Sequence, residues 1–429
     1  MKMAREMKDS GIEWIGEIPS TWRKIRFKYL HNGMNTGEGI DKDFWSTDEN
    51  DLVFYTAGLE PIRTSYKDFP EWKYTHDNDL LLARNGTPYV YLPLSGACYT
   101  DHIIRASIKD GINRRFVQYS LQQSISNVVV DSVSLATWSA SLWNIQSIAW
   151  PSQEEQTRIV RFLDNECARI DEVIEQTRAS IEEYKKLKQA IITRAVTKGV
   201  RSDRLMKDSG IEGIGEIPEE WQILKITRIL DYSHPYPIGD GDHGLVRTED
   251  YVTSGIPFIR VQNVGWGTPL DLSSVVYIST EINEKIKNST LRPGDVLFAK
   301  TGATIGKTAI VPDTLPISNT TSHVGKITVN PRYNSRFVFY VLSSYVGYKQ
   351  FWDIACQKTT RPELSIDETK SIRIPLPLDR NEQDEIVVHL DGKLAVIDGM
   401  IKKKEQVLSD FENLKKSLFY EYVTGKKEV

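Results

Sequence analysis

Residues 7–22, MKDSGIEWIGEIPSTW, recur as residues 206–221, MKDSGIEGIGEIPEEW, with 13 of 16 positions identical. Such a match does not arise by chance, so the chain contains a duplication. A second repeated pair follows: the stretch from Gln153, QEEQTRIVRFLDNECARIDEVIEQ, resembles the stretch from Arg380, RNEQDEIVVHLDGKLAVIDGMIKK. The repeating unit is therefore an opening segment, a variable middle and a long helix, and it occurs twice.

Both helical stretches carry heptad spacing. Residues recur every seven positions along one track at Leu163, Ile170, Thr177, Tyr184 and Ile191 in the first copy and at Leu390, Ile397, Phe411 and Leu418 in the second. Lys188 and Lys415 occupy the same core position in the two copies, and Lys404 interrupts the second track. Each run extends about 40 residues without proline, or roughly 60 Å. The spacing predicts two long helices that pack on each other as a coiled coil.

The variable middles read as short strands separated by turns, with a small helix near the end. In the second copy we expect strands at 275–279, 295–299, 308–312 and 324–330 and a helix at 335–347. In the first copy, DLLLARNGTPYVYLP at 79–93 resembles DVLFAKTGATIGKTAIVP at 295–312, and a helix is expected at 114–126. The fold class predicted is α+β, divided into 1–150, a helix in 151–200, 201–376, and a second helix in 377–429.

Composition limits the possible classes of protein. A chain of 429 residues suggests two or three domains, and 40% hydrophobic with 26% charged residues is typical of a globular protein. No apolar stretch approaches the length of a membrane helix, and the first residues do not resemble a signal peptide. Three scattered cysteines favour a reducing cytoplasm over a disulfide framework. The net charge of -4 means that any DNA-binding surface must be local.

Two strings resemble nucleotide-binding motifs without meeting their requirements. The run from Gly302 to Thr308, GATIGKT, has three residues between its glycines where a P-loop needs four, and a strand is expected after it. The run from Gly239 to Gly244, GDGDHG, matches GxGxxG but lacks the strand before it and the helix after it. No methyltransferase tetrad, nuclease cluster or metal-ligand spacing is recognisable. We therefore expect this chain to be non-catalytic, with no metal site.

These strings together resemble the specificity subunit of type I restriction–modification systems. The resemblance rests on WIGEIP and GIGEIP followed by tryptophan, the EEQ and NEQ openings of the long helices, GDVLFAKTG, and the duplicated order. It implies two target-recognition domains on double-stranded DNA, each reading half of an asymmetric split site, separated by two helices in an antiparallel coiled coil with an internal pseudo-two-fold repeat. Two methyltransferase subunits would bind S-adenosylmethionine, and restriction subunits would bind ATP and Mg²⁺. This chain would hold no cofactor of its own.

Candidate DNA contacts are basic, amide, hydroxyl and aromatic side chains on turns, because such groups hold phosphates and reach base edges. In the first copy they are Arg63, Arg84, Asn85, Tyr89, Arg105 and Trp138. In the second copy they are Arg260, Gln262, Asn263, Lys300, Thr301, Lys307, Asn319, Thr320, Thr321, His323, Lys358, Thr359, Thr360 and Arg361. The tryptophans that close the opening segments, Trp22 and Trp221, are expected to pack rather than to stack on DNA.

Two other functions stay open on the sequence. A duplicated coiled-coil scaffold that binds proteins would show the same helices without sequence-specific DNA binding. A self-contained methyltransferase or nuclease would act without partners. Binding that weakens steeply with salt yet keeps a preferred sequence would separate a DNA reader from a scaffold.

Overall fold

The computed structural model of the protein describes residues 5–85, 88–126, 137–241, 243–357 and 362–429. The fold is α+β, as predicted, and no helix in these ranges combines the length and apolarity that crossing a membrane requires. The chain divides into two compact units. Unit 1 consists of Met1–Arg178 with Glu405–Val429, and unit 2 consists of Ala179–Lys404, so each contains part of both long helices.

The elements of the first copy follow the order strands, helix, strand, long helix. Its strands are β1 Met7–Ile12, β2 Gly16–Pro19, β3 Arg23–Arg26, β4 His31–Thr36, β5 Trp45–Ser46, β6 Leu52–Tyr55, β7 Ile62–Thr64, β8 Asp79–Ala83, β9 Val90–Tyr91, β10 Cys98–Tyr99, β11 Ile103–Ile108 and β12 Ser147–Trp150. Its helices are α1 Arg114–Ser126, α2 Ala140–Ile145 and α3 Gln153–Lys198.

The second copy repeats this order with more helix before its last strand. Its strands are β13 Met206–Asp208, β14 Glu216–Pro218, β15 Gln222–Lys225, β16 Ile238–Asp240, β17 Ile256–Ile259, β18 Val276–Ile278, β19 Val296–Ala299, β20 Thr308–Ile310, β21 Asn319–Thr320, β22 Val324–Ile327 and β23 Arg373–Leu376. Its helices are α4 Thr280–Lys285, α5 Ser335–Ser343, α6 Tyr345–Ala355, α7 Ile366–Thr369 and α8 Arg380–Val423.

Each unit is built on the same four-stranded antiparallel sheet. The order is β4-β11-β8-β9 in unit 1 and β16-β22-β19-β20 in unit 2. The inner strands β8 and β19 are buried along their whole length, as their uninterrupted apolar runs predict. A second sheet in each unit contains one parallel pair, β10 with β6 and β17 with β21. The resemblance between 79–93 and 295–312 therefore reflects two equivalent hairpins.

One glycine at the end of the outer strand lets the two sheets approach closely in each unit. A Cβ atom on Gly37 would lie 1.9 Å from the carbonyl oxygen of Tyr99, and one on Gly241 would lie 2.0 Å from that of Thr320. Both distances are far below van der Waals contact, so only glycine fits. Gly239 and Asp240 of the GDGDHG string end β16, so a strand does lead into it, contrary to the prediction, and Gly241 lies against the second sheet.

The opening segments dock on the long helices through a repeated cluster. Trp22 and Trp221 are buried, and their indole Nε1 groups donate hydrogen bonds of 2.8 Å to Glu155 and 3.0 Å to Glu382. Arg204 pairs with Glu382 and lies over the Trp221 ring, as the equivalent arginine does in unit 1. The prediction that both tryptophans pack in the protein is confirmed, and it explains the glutamate in the EEQ and NEQ strings.

The long helices pack antiparallel, as predicted. In unit 1, Phe162 contacts Tyr422 and Asp171 pairs with Lys415 at 2.6 Å, so positions that rise along α3 fall along α8. In unit 2 the reciprocal pair, Lys188 with Asp398, joins at 2.7 Å. The two core-position lysines that interrupt the heptads therefore form ion pairs across the helices. Lys404, the remaining interruption, lies over the ring of Tyr184.

The predicted helix at 335–347 is wrong in one respect, because it is two helices. The chain leaves the α conformation at Ser344, whose ψ of 172° is extended, and α6 begins at the next residue. Gly347 packs on the backbone of Leu342, where a Cβ would come within 2.2 Å of the carbonyl oxygen. The bend at Ser344 lets Gly347 pack against the backbone of Leu342. Because this bend does not interrupt the apolar pattern, the sequence gives no sign of it.

Candidate DNA-recognition surfaces

The same edge of the four-stranded sheet gathers polar candidates in both units. Antiparallel pairing places the end of each inner strand beside the start of its neighbour. The residues at this edge, which we call the strand-end surface, are Arg84, Asn85 and His102 in unit 1 and Lys300, Thr301 and His323 in unit 2. They follow β8 or β19, or precede β11 or β22. Two independent stretches of sequence thus meet at one place in each unit.

In unit 1 the structure brings three predicted residues together. The backbone amide of Arg84 donates to the carbonyl of His102 at 2.8 Å, and its carbonyl accepts from the amide of Trp138 at 2.6 Å. The Asn85 Nδ2 lies 2.7 Å from His102 Nδ1. The Arg84 side chain is exposed and lines a cavity of about 430 Å³ together with Trp72. The cavity combines the exposed guanidinium of Arg84 with the exposed aromatic ring of Trp72.

Trp138 contributes its backbone to this surface and its side chain to the core. The indole is 4% exposed and packs on the Trp143 ring at a centroid distance of 5.0 Å. A buried ring of this size stabilises the local fold through the area that it removes from water. Trp72, which the sequence reading did not select, is 54% exposed at the same cavity.

The other predicted residues of unit 1 lie elsewhere. Arg63 is on β7 of the second sheet, where its guanidinium donates to the carbonyl of Asp51 at 2.9 Å. Tyr89 is half-buried, and it lines a separate cavity formed with α1, α3 and α8. Arg105 donates to the carbonyl of Tyr74 at 2.6 Å and lies 3.6 Å from the buried carboxylate of Asp79.

Arg105 belongs to an ion pair that both units repeat between their inner strands. Lys326 and Asp295 occupy the equivalent positions of unit 2, with Nζ and Oδ2 3.9 Å apart and both side chains buried. Burial raises the pKa of Asp295 and lowers the pKa of Lys326, because each charged form loses its hydration. The basic side chain at this position therefore joins the inner strands through its ion pair and is not a cation exposed on the surface.

Lys300 of unit 2 is buried at the strand-end surface and pairs with two acidic residues, one of which, Asp240, ends β16. Its Nζ lies 2.6 Å from Asp240 Oδ2 and 3.6 Å from Glu363 Oε1. The second oxygen of Asp240 lies 3.0 Å from Nε2 of His243, an exposed side chain with a positive φ of 47°. In the sequence this segment resembles only an incomplete dinucleotide-binding motif. The sequence did contain a signal for the ion pair: an acidic residue, Asp240, lies between glycines, and the apolar run of β19 is followed by a lysine, Lys300.

The turn after Lys300 has the conformation expected of a strand connection. Gly302 and Gly306 have φ values of 59° and 90°, and β20 follows directly, so no helix opens behind it. This outcome confirms that the string is not a P-loop. Thr301 and Lys307 are half-buried on this turn, and Thr301 Oγ1 lies 3.2 Å from Nδ1 of His323.

The Asn319–Thr321 segment is largely internal. Asn319 is fully buried and accepts a hydrogen bond of 2.6 Å from Ser289 through its side-chain oxygen. Thr320 is also fully buried and donates from Oγ1 to the carbonyl of Ile259 at 2.9 Å. Thr321 is half-buried, and its amide donates to the same carbonyl. These residues anchor the second sheet beside the exposed His323.

Three further candidates form a polar turn of their own. Asn263 is buried, and its side chain bonds the amide of Arg260 and the carbonyl of Asp271, both at 2.8 Å. Arg260 is half-buried and donates to the carbonyl of Ser274 at 2.8 Å, while Gln262 is exposed. Lys358, Thr359, Thr360 and Arg361 lie outside the described residues. Among the residues that are described, no cluster of three or more histidine, cysteine, aspartate or glutamate side chains could hold a metal ion.

Comparison with known proteins identifies relatives along the whole chain. A family profile described as the type I restriction modification DNA specificity domain matches residues 218–409. The specificity subunit of the type I restriction enzyme EcoBI from Escherichia coli is 26% identical over 99% of this chain and 90% of its own length. The MjaVIII specificity subunit from Methanocaldococcus jannaschii is 26% identical over 66% of this chain and 62% of its own length.

A solved chain extends the likeness to the fold. It comes from work on complex assembly and conformational transition of the type I R-M system, and it superposes with a TM-score of 0.68 at 15% identity over 96% of this chain and 99% of that one. The matched regions include both repeated opening segments and both long helices, which are the features that carried the resemblance in the sequence. Over nearly its whole length the chain is thus similar to specificity subunits of type I restriction–modification systems.

Proposed function

We propose that this chain is the sequence-reading subunit of a type I restriction–modification complex and that it reads the two halves of an asymmetric, bipartite site in double-stranded DNA. The observation that carries the proposal is the pair of strand-end surfaces. Both are built on one sheet topology, yet Arg84 and Asn85 stand in unit 1 where Lys300 and Thr301 stand in unit 2. One frame with two different sets of polar side chains suits recognition of two different sequences.

The exposed and half-buried candidates on these surfaces, on the turn before β20 and on the Arg260–Asn263 turn would make the DNA contacts. Arg84, Gln262 and His323 are exposed, and Lys307 and Thr301 are half-buried on a turn. A guanidinium or amide can bond a base edge in two places, whereas a lysine or hydroxyl suits phosphate oxygens. The buried candidates, such as Asn319 and Asn263, would hold these turns in place. We propose 1–150 and 201–376 as the target-recognition domains, with spacers at 151–200 and 377–429.

Catalysis would belong to partner subunits. Two methyltransferase subunits would supply S-adenosylmethionine, and restriction subunits would supply ATP and Mg²⁺, all in the cytoplasm where the genome lies. An apolar strip on α8 supports docking of a helical partner: Val388, Val396 and Met400 are exposed at helical spacing. Gly392 and Gly399 lie among them with no atom within 4 Å of an added Cβ. Glycine inside a helix costs about 1 kcal/mol, and close approach of another helix would explain its presence.

The spacing of the half-sites provides the test. Seven residues inserted into each long helix preserve both heptad tracks and lengthen each by about 10 Å. The methylated site, found by sequencing the methylome of cells that carry the complex, should keep both half-site sequences and gain roughly three base pairs between them, at 3.4 Å per base pair. An unchanged spacing would contradict a helical spacer.

A protein-binding scaffold without DNA specificity makes a different prediction. Its removal from cells would leave the methylome unchanged, and its DNA binding would show no preferred sequence. A chain that methylates DNA by itself, with S-adenosylmethionine but without partners, would contradict the assignment of catalysis to other subunits.

A further inference from the structure

The strand-end surfaces differ between the units except for one histidine. His102 and His323 occupy the same position, directly before the inner strands β11 and β22. The carbonyl of each accepts the backbone amide of the basic residue that ends the neighbouring strand, at 2.8 Å for Arg84 and 3.1 Å for Lys300. Both imidazoles are exposed. The histidine is therefore repeated together with the four-stranded sheet, whereas the residues around it differ between the two units.

Each ring is oriented through its Nδ1 atom. The Asn85 Nδ2 lies 2.7 Å from Nδ1 of His102, and because an amide nitrogen only donates, this Nδ1 accepts and the ring proton of neutral His102 sits on Nε2. Thr301 Oγ1 lies 3.2 Å from Nδ1 of His323, and a hydroxyl can either donate to this atom or accept from it; when it donates, neutral His323 has the same tautomer as His102. Asn85 and Thr301 thus each hold the neighbouring histidine ring through Nδ1, one with an amide and the other with a hydroxyl.

The outward atom Nε2 is therefore an N–H donor in unit 1, and it is one in unit 2 when the Thr301 hydroxyl donates to Nδ1. Within the ranges that the structure describes, neither Nε2 has a hydrogen-bond partner in the protein. A donor matches a group that only accepts. Phosphate oxygens of the DNA backbone have this property, and they are the same in every sequence.

We propose that His102 and His323 each donate their Nε2 hydrogen to a backbone phosphate, one in each half-site, and thereby set the register of each unit on the duplex. The inference rests on the proposed function. A side chain that selects bases should differ between two readers of different sequences, whereas a contact to phosphate can be shared. His102 and His323 are the same residue in both units, as expected of a contact to phosphate.

The test uses the complete complex with its methyltransferase partners, carrying His102→Ala or His323→Ala. Loss of one hydrogen bond to a charged acceptor should weaken binding about ten- to a hundredfold. The loss should be equal for the cognate duplex and for an unrelated duplex, and the methylated sequence should not change. The substitution His323→Gln, which can place an amide donor near the Nε2 position, should restore part of the affinity. His389→Ala, at an exposed histidine on α8, is the matched control.

A duplex scan locates the contact. Cognate duplexes with one phosphate at a time replaced by a neutral methylphosphonate should lose affinity for the unmodified complex at every contacted phosphate, and one of these in each half-site should be the phosphate that the histidine contacts. The His323→Ala complex has already lost this contact, so a methylphosphonate at the phosphate that His323 contacts should not weaken its affinity further. Additive losses, a change of methylated sequence or unchanged affinity would overturn the inference. A wild-type complex that binds DNA without sequence preference would instead refute the proposed function, and the comparison of His102→Ala and His323→Ala with the wild type on any one duplex would still show whether the histidines contribute to binding.

Discussion

Replacing Trp221 with phenylalanine should destabilise unit 2 more than the same change at Trp22 destabilises unit 1. Trp221 is fully buried, and its Nε1 donates to the Glu382 carboxylate at 3.0 Å. The Glu382 side chain is 4% exposed, so water cannot replace the lost donor. Glu155, the partner of Trp22, is 14% exposed and can be partly rehydrated.

The magnitudes follow from the two environments. A hydrogen bond to a charged group contributes about 1.5–3 kcal/mol, and an unsatisfied buried acceptor adds to the cost of its removal. The smaller ring also leaves space in a packed core. We expect a loss of about 3 kcal/mol for Trp221→Phe, since Arg204 still pairs with Glu382, and about half as much for Trp22→Phe.

Urea unfolding followed by far-ultraviolet circular dichroism measures the total loss of stability. Hydrogen exchange of the amides in 206–221 and in 7–22 assigns the loss to one unit or the other. The two variants are matched controls, because the chemical change is identical. Equal losses, or a larger loss for Trp22→Phe, would refute the argument that exposure of the carboxylate sets the cost.

Three further changes have defined outcomes. Val396→Glu should weaken assembly with the proposed methyltransferase partner at least tenfold in a pull-down titration, whereas Arg169→Glu, at the equivalent exposed position of α3, should have a smaller effect. Lys188→Glu should lower the melting temperature by placing like charges together, and adding Asp398→Lys should restore most of it; no recovery would argue against the pair. His234 is buried, and desolvation lowers its pKa from 6.5 to about 4, so the folded state resists protonation that the unfolded state accepts. Stability should fall between about pH 6.5 and pH 4, by as much as roughly 3 kcal/mol, and His234→Asn should reduce this fall in urea titrations.

The internal repeat and the long helices were predictable because they depend on local signals. Heptad spacing and the absence of proline specify a helix whatever surrounds it, and α3 and α8 begin at Gln153 and Arg380, at the repeated strings. The apolar runs at β8 and β19 likewise identified inner strands. The helix at 335–347 was predicted as continuous because an apolar pattern does not record the bend at Ser344.

The candidate surfaces were only partly predictable. A basic residue after a buried strand marked Arg84 and Lys300, but burial of Lys300 against Asp240 depends on a turn some sixty residues away. Asn319 and Asn263 read as polar turn residues, yet both are internal. His102 was missed because a single histidine has no meaning until pairing of β8 with β11 places it beside Asn85.

The amino-acid sequence alone determined that this protein is a duplication with two variable middles and two heptad helices, since identity between segments and helical periodicity are properties of neighbouring residues. Tertiary structure decided which polar groups face solvent and which satisfy one another. Hydrogen bonds and ion pairs join residues far apart in the chain, and only packing of the strands determines whether a lysine, asparagine or histidine keeps a free donor for DNA.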